Sequence, residues 1–452
     1  MKVAVLGGGG FRTPTLHSCL ARANARIGVE EVVLQDVDPT RLDLILDVIV
    51  GMDRERGGAA IAVRTTTSLD DAVDGAGAVL AAIRVGGADA RVIDEEVPLS
   101  LGVLGQETVG PAGIAFAMRT IPVMRAIALT VRDRAPDAWF VNFTNPAGVV
   151  TEALREMLGD RAVGICDSPA GLCARTAVAL RQKASSMDFD YGGLNHLGWL
   201  LAARVEGEDR LPELLADDVR IGSLDEARLF GVARLRSLRA IPNEYLVYLD
   251  RTSEVTAAFR RQGGRGNLVA KQQRQFFERR PGDPSGSLAA WRATRDARHS
   301  TYMAEAWEGT AQGVPETGAP PDQGPGEEGY AAVAVNFFEA VVGDEPAQLI
   351  LNTANRGRLT EVGDDEVGEI TCTVSSDGIR PVPGSPLPSE ASTLVTRIKE
   401  VERLTLVAAT RGSAPLAIDA LAAHPTVPSR EIAERIWSGY VGRHESLRVA
   451  LR

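Results

Sequence analysis

Cysteine is scarce: four residues in 452, at positions 19, 166, 173 and 372. Four thiols in a chain this long are too few for a disulfide framework, so a reduced, cytoplasmic protein is expected. Long apolar runs are missing as well. No stretch approaches the roughly 18 consecutive apolar residues of a membrane helix, so no membrane association is expected. The first residues begin a strand at once, without the basic, apolar and small-residue succession of a signal peptide. Positive charge is in deficit. Lys and Arg number 49 against 60 Asp and Glu, a net charge of −11. Nucleic acid needs a basic face, so it is excluded as a partner. The chain shows no internal repeat.

What is present is the balance of an ordinary globular protein, 44% hydrophobic and 24% charged. The length suits two domains or one large one, with room for a sizeable core. Apolar strand-like runs recur through the first third: KVAVLGG (2–8), EVVLQD (31–36), AIAVR (60–64), AVLAAI (78–83), AWFVNF (138–143) and AVGIC (162–166). Helical stretches such as 40–50 and 121–134 separate them. Continuous apolar strands alternating with helices predict a doubly wound parallel sheet covered on both faces. The fold class is therefore α/β, a Rossmann-like domain over 1–166 followed by a mixed α+β domain over 167–452. After about residue 195 the alternation fades into long helical stretches, with a strand over 369–374 and helices across 403–425. Residues 309–329 and 381–390, dense in Gly and Pro, read as loops.

VAVLGGGGFRTPT sets four glycines between a strand and a helix. Gly7, Gly8, Gly9 and Gly10 allow a sharp turn and a close approach to a pyrophosphate. Thr13 and Pro14 make a helix start, with the hydroxyl as cap. Asp36, at the end of the second strand, can accept from the ribose hydroxyls and repel a 2′-phosphate, which favours NAD over NADP. The turn from Gly7 to Thr13, Phe11 and Arg12 included, is thus the expected cofactor site with Asp36. The bland alternative is a glycine turn that binds nothing.

Farther along, FTNPAG (143–148) sets Asn145 at a strand end, where open sheets bind ligands. GICDSP (164–169) holds Cys166 and Asp167, and GLNHLGW (193–199) holds His196. Thiolate and imidazole are both ligands for a borderline metal, and two protein ligands leave positions open for substrate. A buried cysteine is equally a small hydrophobe, and a lone histidine is commonly structural.

Taken in order, GGGGFRTP, AIRVGGADARVIDEEVPL, GVLGQETVGPAGIAFAMRTIP, NFTNPAG, GICDSP, GLNHLGW, IPNEYLVYL, RGNLVA and NTANRG give the chain a specific likeness. It resembles the NAD- and divalent-metal-dependent enzymes of glycoside hydrolase family 4 along nearly its whole length. The resemblance implies hydrolysis without the carboxylate pair of other glycosidases. NAD removes hydride from the sugar C3, a base takes the acidified C2 proton, the aglycone leaves C1, water adds, and the hydride returns. It implies Cys166 and His196 as ligands of a divalent cation, usually manganese. It implies Tyr245 as the base, with Tyr248 as rival, and Asp167 as proton donor or water-orienting group. Asn145 would hold substrate hydroxyls or the nicotinamide ribose. Family substrates are often sugar 6-phosphates, for which Arg84, Arg91 and Arg265 are the matching arginines. The overall texture resembles the 6-phospho-β-glucosidase group, although Asp167 is typical of the α-specific members. The family further implies a homodimer or homotetramer. Two other readings remain, a plain NAD-dependent hydroxyacid dehydrogenase and a non-catalytic NAD-binding sensor.

Overall fold

The computed structural model describes residues 1–299, 301, 303, 306 and 329–450. Six short strands start the chain: β1 (Lys2–Leu6), β2 (Glu31–Gln35), β3 (Ala62–Thr66), β4 (Ala78–Ala81), β5 (Trp139–Asn142) and β6 (Ala162–Gly164). They pair in parallel in the order β3-β2-β1-β4-β5-β6. This is the doubly wound arrangement, and its strand order reverses between β1 and β4, where such sheets bind ligands. β1, β2 and β4 to β6 are almost wholly buried, which explains their uninterrupted apolar sequences.

Helices α1 (Thr13–Ile27), α2 (Pro39–Arg56), α3 (Leu69–Val73), α4 (Gly87–Ser100), α5 (Pro111–Arg134), α6 (Ala147–Leu158) and α7 (Ser168–Ala179) connect and follow these strands. α1 begins differently from expectation. Thr13 is its first residue, Arg12 holds the cap position, and no side chain caps the end. α5 corrects a second expectation. It is long and apolar enough to cross a membrane by length and composition, but most of it is buried within the protein. Its start was hidden by the Gly and Pro of GPAG.

The sheet does not stop at β6. β7 (Met187–Leu194), β8 (Leu197–Val205), β9 (Glu208–Asp209), β10 (Ile241–Pro242), β11 (Ala347–Ala354), β12 (Val367–Ser375) and β13 (Gly378–Pro381) extend it to thirteen strands. β11 joins β6 antiparallel, with Asn352 opposite Gly164. From there the order runs β11-β12-β7-β8-β10, all antiparallel. The expected division at 166/167 falls where the sheet changes from parallel to antiparallel. β7 and β8, buried on both faces, show no alternation; β7 carries no strand signal, and β8 falls in the stretch after about residue 195 that reads as helical. Apart from Gly329, the stretch 309–329 lies outside the described residues.

Helices of the second half cover the first half's sheet. Pro284–His299 packs on α2, Gly329–Val342 on α1, and Ser389–Arg411 on α5. The helix Arg430–Arg443 packs against α4, and below it lies a buried charge network. Arg119 of α5 grips Asp94 of α4 through both carboxylate oxygens at 2.6 Å. His444 reaches the same carboxylate at 2.9 Å, and the Tyr440 hydroxyl donates to the Asp94 carbonyl at 2.9 Å. Arg119→Met should therefore strand a buried carboxylate and destabilise the fold by about 3–5 kcal/mol. Urea denaturation measures this, and a loss below about 1 kcal/mol would count against the network as a structural tie.

Candidate active site

The carboxyl ends of β1, β4, β5 and β6 open on one edge, and each delivers a segment to it. After β1 come the glycines. Gly7 has φ +79°, and a Cβ there would lie 2.8 Å from the Ala82 carbonyl oxygen. At Gly8 a Cβ would come within 2.7 Å of Leu34 Cβ. The backbone is thus pressed against its neighbours and leaves its other side open. Asp36 fixes the turn by accepting from Gly9 N at 3.1 Å and Asp38 N at 3.2 Å. The uncapped start of α1 follows, a backbone donor site for an anion. Phe11 sits elsewhere: its ring is buried 5.4 Å from Phe276 and 5.7 Å from Trp291, whose indole donates to its carbonyl at 2.8 Å. Arg12 lies over the ring of Tyr330 and within 4.0 Å of Asp167.

After β4 come Arg84 and, on α4, Arg91. Glu107 joins them, paired with Arg84 through one oxygen and with Arg91 at 2.7 Å through the other. Burial alone would raise the Glu107 pKa, but Arg84 and Arg91 overcome it and bring it down to about 2. Glu95 accepts from Arg91 Nε at 2.7 Å and from Gly266 N at 2.6 Å, which draws in the helix Arg265–Phe277. Arg265 at its start donates to the carbonyls of Thr301 and Arg298.

A further guanidinium, that of Arg298, lies over Phe11. Burial and the fields of Arg12, Arg91, Arg265 and Arg84 bring its pKa down to about 9. Among the described residues its Nη1 is buried without a hydrogen-bond partner. Five guanidinium groups thus share one region. Arg298 gave no sequence signal.

After β5, Asn145 is half-buried in the loop leading to α6. After β6, Cys166 is buried and Asp167 stands at the cap position of α7 without capping it. Burial, Glu369, Asp167 and Glu244 all push the Cys166 thiol up.

His196 arrives from the other half, in the two-residue turn between β7 and β8, at φ +63°. A histidine in the left-handed region costs about 1–2 kcal/mol, so the fold holds this imidazole against strain. Thr108 Oγ1 meets its Nδ1 at 2.7 Å, which leaves Nε2 as the ring nitrogen that could take a cation. Burial lowers the His196 pKa to about 4, so the ring is neutral, as ligation requires.

Tyr245 stacks on His196, ring centroids 3.8 Å apart and planes 9° from parallel. Tyr248 is buried and stacked on Phe259, away from the imidazole. Tyr330, on the helix that packs on α1, stands against Phe143 and beside Asp167.

The structure therefore gathers Arg12, Arg84, Arg91, Arg265, Asp167, Cys166, His196 and Tyr245 around one edge. Sequence reasoning missed Thr108, Arg298, Tyr330 and Glu369. Glu107 and Thr108 stood within GQET without a role, and Glu369 was a lone acid in the apolar strand GEITCTV. Among the described residues, no three His, Cys, Asp or Glu are grouped to hold a metal. Cys166 and His196 would leave positions open.

Two family models match the chain, Family 4 glycosyl hydrolase over residues 2–182 and its C-terminal domain over residues 191–427. A 6-phospho-beta-glucosidase of Escherichia coli (strain K12) is 30% identical over 463 residues, covering 98% of this chain and 95% of that protein. A 6-phospho-alpha-glucosidase of Leptotrichia buccalis is 27% identical over 450 residues, covering 96% and 95%. A solved 6-phospho-beta glucosidase of Thermotoga maritima, with manganese, NAD+ and glucose-6-phosphate, has a TM-score of 0.80 at 27% identity, covering 98% of each chain.

Thr108→Val keeps the shape of residue 108 and removes the bond to His196. Affinity for Mn²⁺, followed by electron paramagnetic resonance of the free ion, should fall about 10-fold, with NAD affinity unchanged. Equal Mn²⁺ affinity would separate Thr108 from the site.

Proposed function

Because the chain belongs to family 4 of the glycosyl hydrolases, we propose that it hydrolyses 6-phosphorylated glucosides as an NAD- and metal-dependent 6-phospho-β-glucosidase. One observation carries the substrate class. Burial and the fields of Arg12, Arg91, Arg265 and Arg84 together lower the Arg298 pKa, which sets five guanidinium groups in one region. Carboxylates Glu107 and Glu95 offset only part of this charge. A phosphate dianion, gripped by guanidinium forks, would offset the rest.

The residues fit both absent groups. For NAD, the pressed glycine turn, the start of α1 and Asp36 form a cradle that a Cβ at Gly8 would disturb. For a divalent cation, Cys166 and neutral His196 supply sulfur and nitrogen, and the surrounding Glu369, Asp167 and Glu244 favour positive charge. When bound, NAD takes and returns a C3 hydride, and the cation polarises the oxygens on C2 and C3.

The chain's own groups do the proton work. Tyr245 takes the C2 proton. Its neighbour Arg91 favours the phenolate, and stacking on His196 fixes the ring. Asp167, between Arg12 and Tyr330, protonates the leaving oxygen or orients the water. Asn145, beside the β5 end, holds hydroxyls of substrate or ribose. Residues 1–166 serve as the nucleotide domain. Residues 167–452 supply substrate, metal and subunit contacts in a homodimer or homotetramer. A cytoplasmic location suits a phosphorylated substrate that cannot cross a membrane unaided.

The anomer has a second reading. Asp167 and the α-specific relative favour a 6-phospho-α-glucosidase, and paired assays of nitrophenyl α- and β-glucoside 6-phosphates decide between them. A hydroxyacid dehydrogenase would accumulate NADH, and a sensor would bind NAD without turnover. A hydroxyacid carboxylate would engage one guanidinium fork and a sensor none, so neither accounts for five.

Two outcomes are expected. Arg298→Met should raise the KM for a glucoside 6-phosphate about 10–100-fold, leaving slow turnover of the unphosphorylated glucoside unchanged. An equal effect on both substrates would remove Arg298 from the phosphate site. Hydrolysis in D₂O should also place deuterium at C2 of the released sugar, because solvent exchanges with the proton on Tyr245. Tyr245→Phe should suppress both cleavage and exchange. Cleavage with only protium at C2, with free-sugar exchange controlled, would count against proton abstraction and for a carboxylate pair.

A further inference from the structure

Glu369 is the third residue of β12, 1% exposed, and no arginine or lysine is among the groups acting most strongly on it. Three neutral donors hold it. Asn195 Nδ2 and Asn352 Nδ2 both reach Oε1 at 3.0 Å, and the Tyr191 hydroxyl reaches Oε2 at 3.2 Å. Two of these contacts continue into the site. Asn195 immediately precedes His196 in its turn, and its Oδ1 accepts from Ala147 N at 3.2 Å, which ties in the loop of Asn145. Tyr191 accepts from Asn243 Nδ2 at 3.3 Å, and Asn243 Oδ1 accepts from Tyr245 N at 3.0 Å. One buried carboxylate thus ends two polar chains, one to the imidazole's turn and the other to the backbone of the tyrosine.

A buried carboxylate without a counter-ion is costly, and a glutamine would fill the same space with most of the same bonds. Burial brings the Glu369 pKa up to about 7, so this carboxylate takes its full charge only beside a cation. Its Asn195 arm ends one residue from His196.

We propose that Glu369 is a positioning residue of the reaction, its negative charge answering the divalent cation at Cys166 and His196 while its two hydrogen-bonded arms hold His196 and Tyr245 in register. This rests on the assignment of Cys166 and His196 as metal ligands. The two arms separate its effects. The Asn195 arm and the charge serve metal binding. The Tyr191 arm serves the tyrosine.

The test uses the full chain, with NAD present in the Mn²⁺ titrations and the kinetic assays. Glu369→Gln should weaken Mn²⁺ binding about 10–100-fold, read as free Mn²⁺ by electron paramagnetic resonance, with NAD affinity by titration calorimetry within twofold of wild type. Tyr191→Phe should leave Mn²⁺ affinity within twofold and lower kcat at least 10-fold at unchanged KM. Should Glu369→Gln fail to fold, Asn195→Ala replaces it and should weaken Mn²⁺ binding in the same way. A wild-type chain that binds no Mn²⁺ overturns the metal assignment and this proposal together. A wild-type chain that binds Mn²⁺, beside a Glu369→Gln variant that binds it equally, overturns this proposal alone. So does a variant that loses NAD and Mn²⁺ affinity in parallel.

Discussion

Three consecutive side chains between α4 and α5 set the geometry on which the site depends. Gln106 folds its carbonyl oxygen back to accept from Thr108 N at 2.8 Å and Val109 N at 2.7 Å, which stiffens the loop. Glu107 then stands between Arg84 and Arg91 and holds both. Thr108 fixes the direction of the His196 ring through Nδ1 at 2.7 Å. A charged anchor and a neutral one, one residue apart, thus join the parallel half of the sheet to the β7–β8 turn. If the loop shifts, the arginines and the imidazole shift together. The spacing between the arginine pair and the imidazole is thereby set by covalent geometry rather than by long-range packing.

Charge in the cavity is separated by sign. At one end five guanidinium groups gather, and Arg298 is held with its pKa down to about 9 through burial and its neighbours. At the other end Glu369, Asp167 and Glu244 surround Cys166, and burial brings the Glu369 pKa up to about 7. Each end alone is unfavourable, because like charges repel and buried ions lack water. They meet where Arg12 comes within 4.0 Å of Asp167, and Arg175 lies 3.7 Å from Glu244, so each end is balanced in part. A ligand set with an anion at one end and a cation at the other relieves both. Such strain is what folded proteins retain where a site must bind, at some cost in stability.

How much of this the sequence disclosed follows from how each feature encodes itself. β1 to β6 were legible because buried parallel strands are short apolar runs bounded by helices and Gly. The glycine turn was legible because only Gly permits its close approaches, and Asp36 because its place after β2 is fixed by the turn. β7 and β8 were not legible, because burial on both faces removes alternation. The cap of α1 was misassigned by one residue, because Thr-Pro fits both a cap and a first turn. Cys166 and His196 could be named through the family resemblance, but local pattern alone left each as a possible core residue. Tyr245 and Tyr248 are three residues apart with no distinction in sequence. Only the stacking of one on His196 and the other on Phe259 separates them. Arg298 meets Phe11, and Glu369 meets Tyr191 and Asn195, across separations that no local window contains.

The extension of the sheet explains how a dinucleotide fold can carry hydrolysis. A dehydrogenase must exchange its cofactor every turnover, whereas in the proposed reaction the hydride returns and NAD stays. Such a site gains from walls rather than doors. Trp291 bonds to the Phe11 carbonyl at 2.8 Å and stacks on its ring, fixing the helix Pro284–His299 beside the glycine turn. Glu95 draws in the next helix through Gly266, where a Cβ would meet Glu95 Oε2 at 2.8 Å. α4, which carries Glu95 and Arg91, is itself pinned from behind through Asp94, Arg119 and His444. The antiparallel strands then deliver His196 from the far side, through a turn that the parallel half has no means of forming. The same carboxyl edge that binds a nucleotide in half the fold thereby faces a second wall, and chemistry on a sugar is confined between them.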